Sequence, residues 1–276
     1  MTDVYETPLE QVAYVHDGTL EGLLTCVFLA YKRHEAPEDI VDEAVYEPRL
    51  GQSALFVETD LSKAERVRAG VVKAQGRDSF SAIMRASTCD DYDTGSIVYR
   101  FIRYAMARSS LSMRKPILDE LANPAVADLI RLAKHATNEA ERMRQFVRFS
   151  HLENGVWFSQ VSPNASVVPL VMGYFAARLN DQPFIIYDKP HGLAGVYDGR
   201  SWQLVCGEVN NVPQATEHDG LMQEAWKRFY DALTIDARYN PELRRKFMPM
   251  RLWGGLTELQ PLQSVPSFAP ALCRFP

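Results

Sequence analysis

The sequence predicts an α+β protein: a strand–helix–strand–helix opening, a helical middle, and an antiparallel sheet backed by a helix in the C-terminal half. Three observations carry that reading. Short β-prone runs alternate with apolar residues at helical spacing, turn and cap residues fall between them, and an Asn154-Gly155 pair separates two β-prone runs late in the chain. With 276 residues, 46% hydrophobic and 24% charged, the chain can bury one large core or two modest ones.

The first strand is the run Val12-Ala13-Tyr14-Val15, and Asp17-Gly18-Thr19 supplies a turn and a helix cap. Leu20, Leu23, Leu24, Val27, Phe28 and Tyr31 then recur at helical spacing, with Pro37 beyond as a stop. Ala54-Leu55-Phe56-Val57 reads as a second strand leading through Thr59-Asp60 into a helix over residues 61–74. Further helices are expected over residues 79–86, 96–107 and 124–146, with a polar turn at residues 90–95. Residues 146–152 and 156–161 form the predicted hairpin around Glu153-Asn154-Gly155, because Asn and Gly accept the positive φ of a tight turn. A helix over 167–179, strands at 184–187, 192–197 and 202–205, and a last helix at 217–233 followed by the segment 240–247 complete the reading. The expected organisation is an N-terminal α/β segment (1–110), a helix-plus-sheet part of the same compact unit (111–258), and an irregular tail (259–276).

Composition excludes several classes. The apolar stretches fall far below the roughly 20 residues that span a bilayer, so no membrane partner is expected. The first residues lack a basic leader and an apolar signal core, so a cytoplasmic location is the expectation. Cys26, Cys89, Cys206 and Cys273 have no chelating spacing, so they read as buried free thiols, and no metal or cofactor is expected. The net charge of −5 is unevenly spread: residues 1–60 hold three basic against thirteen acidic side chains, residues 95–150 ten against five. A local positive surface can attract phosphate even on an acidic chain.

Two basic clusters are the candidate site. Arg142, Arg144 and Arg148 end the long helix with Phe146 and Phe149 between them, a pattern of guanidinium forks for phosphate and rings for bases. Arg244, Arg245, Lys246 and Arg251 precede Trp253 in a glycine-flanked segment, with Arg238 just upstream. Each has a bland reading: Phe146 in the core, the first arginines paired with Glu139 and Glu141 or complementing a helix C-terminus, and Trp253 an anchor packed on the body. For catalysis the signals are weak. Asp188 ends the apolar strand Phe184-Ile185-Ile186-Tyr187 and, with His191, is a candidate base, although it equally suits a cap on the following turn. His16-Asp17 and Asp90-Asp91 show no known ligand spacing, and there is neither a nucleophile elbow nor a phosphate-cradling glycine loop.

Several segments together resemble a bacterial family of unknown function described in terms of DNA metabolism. They are residues 17–24, the run Glu141-Arg142-Met143-Arg144-Gln145-Phe146-Val147-Arg148-Phe149, residues 163–178, and residues 240–253, so that the likeness spans about residues 12–258. Glu141 stands where that family often carries His, and Met250 where it often carries a basic residue. The resemblance implies DNA as a partner and a link to a radical S-adenosylmethionine protein that repairs or modifies DNA. In some members it also implies fusion to a uracil-DNA-glycosylase-like domain. The expectation is a nucleic-acid-binding accessory protein; the alternatives are an enzyme on damaged nucleotides or DNA, glycosylase-like or hydrolytic, and a protein–protein adaptor. It further requires the two basic clusters to meet in space.

Overall fold

The computed structural model describes residues 11–108, 116–208 and 212–260. The chain forms two compact units, one from the residues up to Glu141 together with Asn164–Leu170, the other from Arg142–Pro163 and the residues from Val171 onward.

The first unit holds a three-stranded parallel sheet in the order β2-β1-β3, with β1 (Gln11–His16) between β2 (Asp39–Asp42) and β3 (Gln52–Phe56). Thr19 caps α1 (Leu20–Arg33) by accepting the Gly22 N–H at 3.0 Å, and His34 closes it in the left-handed region at φ 56°. Sequence patterning missed β2, because Ile40 and Val41 alone between two aspartates make no periodicity. Burial of both side chains and parallel pairing with β1 build the strand instead. The helices expected over 61–74 and 79–86 are one interrupted element, α2 (Leu61–Ala86), broken at Gly76, whose φ of 86° and ψ of 171° only glycine takes readily. α3 (Thr94–Arg108) packs on β2 so closely that a β-carbon on Gly95 would lie 2.3 Å from the Ile40 carbonyl oxygen. α4 (Pro124–Phe146) begins in this unit and delivers its last turn to the second.

The second unit holds a five-stranded sheet in the order β4-β5-β6-β7-β8: Ser150–His151, Trp157–Val161, Phe184–Asp188, Leu193–Tyr197 and Trp202–Cys206. The expected hairpin is present: Ser150 pairs with Phe158, the Gly155 N–H donates to the Leu152 carbonyl at 2.9 Å, and Gly155 has φ 80°. The sheet departs from the expected antiparallel pattern at one place, the parallel pairing of β5 with β6. The helix α5 (Val168–Leu179) lies between those strands, and a helical crossover returns the chain in the same direction. Phe149, Phe175, Phe184 and Tyr197 stack edge-on or tilted at 5.1–6.5 Å in the core of this unit. α6 (Glu217–Leu233), α7 (Pro241–Phe247) and three 3-10 stretches, Asp236–Arg238, Met250–Gly255 and Thr257–Leu259, complete it. Residues 261–276, expected as irregular tail and containing Cys273, lie outside the described residues.

Cys26 and Cys89 are buried thiols whose pKa burial pushes up to about 12, as expected of core cysteines, whereas Cys206 is exposed because it sits on the edge strand β8. Among the described residues no helix is long and apolar enough to cross a membrane, and no three His, Cys, Asp or Glu side chains are grouped to hold a metal ion.

Candidate functional site

A cavity of about 460 Å³ lies in the second unit between the last turn of α4, strand β5 and the 3-10 stretches Met250–Gly255 and Thr257–Leu259. That volume falls within the ~300–1,000 Å³ typical of small-ligand sites. Arg148 and Arg251, from basic runs about a hundred residues apart in sequence, both line it. Phe146, Phe158, Val147 and Leu252 give it apolar wall, while Ser150, Ser159, Gln160 and Gln223 are among its neutral polar groups.

Arg148 is held rigidly. Its Nη2 and Nε face the Glu258 carboxylate at 2.7 and 3.4 Å, and Nη1 donates to the carbonyls of Gln145 and Val147 at 3.0 and 3.2 Å. Glu258, 5% exposed, also accepts the Trp226 indole N–H at 3.2 Å. Burial alone would raise the Glu258 pKa, but the Arg148 hydrogen bonds and charge outweigh it and hold the carboxyl below its ordinary value. Of the five N–H donors of a guanidinium, four are thereby occupied, leaving Arg148 a fixed fork with one donor to spare. Its partner is Glu258, 110 residues away, rather than the neighbouring Glu139 or Glu141 that sequence proximity suggested.

The other candidates sit elsewhere. Arg142 is half-buried near the end of α4, and the Arg144 guanidinium lies 5.3 Å from the centre of the Tyr174 ring. Arg244 is stacked between Tyr239 at 5.4 Å and Trp253 at 4.9 Å. The Trp253 indole N–H donates to the Met248 carbonyl at 2.9 Å, so Trp253 is the folded anchor of its loop. Arg245 and Lys246 are exposed on α7. None of these six lines the cavity, so the structure brings one residue of each basic run to it.

Asp188 is fully buried at the end of β6; its Oδ1 accepts the His191 backbone N–H at 3.4 Å and its Oδ2 lies 2.7 Å from His191 Nδ1. The carboxylate therefore both closes the turn and orients an imidazole, two roles the sequence left as alternatives.

Sequence reasoning missed Phe158, Ser159, Gln160 and Glu258. Only one feature hinted at them: the hairpin signal places residues 156–161 on a strand beside a very short partner. β4 pairs with β5 only at Trp157 and Phe158, so the β5 edge from Ser159 to Val161 extends beyond it.

Fold and site together define a mixed α/β protein of two compact units with an arginine-lined cavity at a sheet edge. Residues 93–258 match the family described as a domain of unknown function, DUF4130, and the chain belongs to that family. The matched span contains every residue lining the cavity except Gln260 and leaves the three-stranded parallel sheet outside it. No curated protein matches the chain.

Proposed function

We propose that this protein is a nucleic-acid-binding accessory factor of DNA metabolism, acting in the cytoplasm and presenting DNA to a radical S-adenosylmethionine partner that supplies the chemistry. The observation that carries the binding part is the meeting of Arg148 and Arg251 at one aromatic-walled cavity. The link to DNA metabolism and to the partner rests on the segments that resemble the DNA-metabolism family. Exposed Arg245 and Lys246 add cations able to follow a phosphate backbone.

The test is a salt titration of single- and double-stranded DNA binding, comparing the wild type with Arg245→Ala/Lys246→Ala. Each phosphate neutralised adds roughly 0.7–0.9 to the slope of log affinity against log salt, so the double variant flattens the slope by about 1.4–1.8. An unchanged slope and affinity would remove the reading. A second reading, an enzyme acting on nucleotides, is favoured by the Asp188–His191 pair, in which a buried carboxylate orients a partly exposed imidazole. Turnover of damaged DNA abolished by His191→Gln, with DNA affinity kept, would select it.

A further inference from the structure

We propose that α6 is the contact surface of a two-fold dimer, in which it packs antiparallel against α6 of a second copy of this chain. The inference goes beyond the nucleic-acid reading and does not depend on it.

The first observation is that α6 carries its apolar side outward. On a helix of about 3.6 residues per turn, Leu221, Met222, Trp226, Phe229 and Leu233 fall on one arc, and each is 43–63% exposed. No Lys, Arg, Asp or Glu lies within that arc. The residues of α6 that are buried or half-buried are Asp219, Gln223, Glu224, Lys227 and Tyr230, on the other side. Polar contacts hold that side: the Gln223 side-chain amide donates to Asp219 at 2.7 Å and to the Ser150 hydroxyl at 3.1 Å. A surface helix normally does the reverse, turning its apolar stripe to the core.

The second is area. At roughly 200 Å² for a large side chain, five of them at about half exposure leave on the order of 500 Å² of apolar surface on one helix face. That stands near the top of the ~300–600 Å² reached by the largest patch of a monomer. It is also most of the ~800 Å² that each member of a stable pair buries. Ala225 and Ala232, both exposed, and Ile235 just past the helix, 54% exposed, extend it.

The third is self-complementarity. Met222, Trp226, Phe229 and Leu233 follow one another at intervals of four, three and four, the seam spacing of paired helices. The spacing is symmetric about its centre, so in an antiparallel pair Trp226 of each copy meets Phe229 of the other, and Met222 meets Leu233. Small Ala225 and Ala232 beside the seam let the two backbones approach. The fourth is charge. Glu217 makes the first turn of α6 acidic, and the exposed Arg238 follows its end. Antiparallel packing sets the acidic start of one helix beside the basic end of the other and opposes the two helix dipoles, whereas parallel packing sets like charges together. An arc without a cation offers a phosphate backbone nothing to hold, so this face suits a protein surface of its own kind.

The experiment is sedimentation equilibrium of the full chain over a dilution series, without nucleic acid. A mass of two chains falling to one on dilution is expected. Phe229→Glu, which puts a charge at the centre of the seam, should weaken the pair by about thirtyfold, the loss of one interface hot spot. Its circular dichroism should match the wild type, because Phe229 is exposed in the single chain. A second measurement reads the geometry. In a Cys206→Ser/Cys273→Ser background, Met222→Cys and Leu233→Cys chains are treated with a short bismaleimide, each alone and then mixed. Antiparallel packing cross-links the mixture and neither variant alone. A wild type that stays monomeric at every concentration overturns the inference and leaves the face to another occupant, residues 261–276 or a different protein. A dimer that a folded Phe229→Glu chain keeps unweakened overturns it too, as does a mixture that fails to cross-link or a single variant that cross-links to itself. Should Phe229→Glu fail to fold, the cross-linking pattern decides. No arm contains DNA, so failure here leaves the nucleic-acid reading where it stands.

Discussion

The two sheets treat their open borders in opposite ways. In the first unit the three parallel strands run out at one end, the position where α/β sheets generally take ligands. Here that border is occupied by carboxylates acting as caps. Asp17 accepts from the Thr19 N–H and the Thr59 hydroxyl, Asp42 from the Ala44 N–H at 2.9 Å, and Asp60 from the N–H groups of Ser62 and Lys63 at 3.0 and 3.1 Å. In the second unit the opening is lateral, beside β5, and the charged groups facing it are guanidiniums. A parallel sheet needs each connection to restart as a helix or turn at that one end, and acceptor side chains there satisfy the first amides. A strand partnered over only two residues leaves main-chain groups for something else. The first border is lined by carboxylates that serve the fold as caps, while the charged side chains lining the second opening are arginines.

The comparison can be broken most forcefully at Arg148. Replacing it with Ala strands the nearly buried Glu258 carboxylate without its cation, and the expected cost is about 3 kcal/mol of stability, read as a lower denaturant midpoint at constant slope. A midpoint that does not move would mean the pair contributes nothing to holding the cavity wall.

On the first border, Thr19→Ala removes the acceptor of the Gly22 N–H at the start of α1 and is expected to cost about 1 kcal/mol, with DNA affinity unchanged. Weaker DNA binding in that variant would give the acidic border a role in recognition that the comparison denies it.

The smallest effect is a difference in pH response. His16 is buried and its pKa is lowered, chiefly by burial and against the opposing pull of Asp42 and Asp17. The unfolded chain takes up that proton first, so the contribution of His16 is lost as pH falls below about 6.5. Glu258, held below its ordinary value by Arg148, contributes above the ordinary carboxylate range and loses that contribution only as pH falls through its lower folded value. Stability measured against pH should therefore show a step near the imidazole range that His16→Gln removes and a more acidic step that Glu258→Gln removes. Loss of both steps in either variant would contradict the assignment.

What the sequence determined by itself is local. The turn at Asn154-Gly155, the Thr19 cap, the long helix with Arg142 and Arg144 near its end, and the apolar strand ending in Asp188 all follow from backbone preferences and apolar spacing within a few residues. The basic runs were visible as composition, and so was the choice for Trp253 between anchor and exposed platform. Tertiary structure decided everything that depends on pairing across distance. β2 exists because β1 lies beside it, β5 runs parallel to β6 because α5 intervenes, and Arg148 answers to Glu258 rather than to a neighbour. It also decided which cations meet: Arg148 and Arg251 share a cavity, while Arg244 is folded between two aromatic rings. The physical reason is that turn and helix signals act through torsion angles and hydrogen bonds a few residues long. A site wall is made by whichever surfaces burial brings together, and no spacing in the chain encodes that distance.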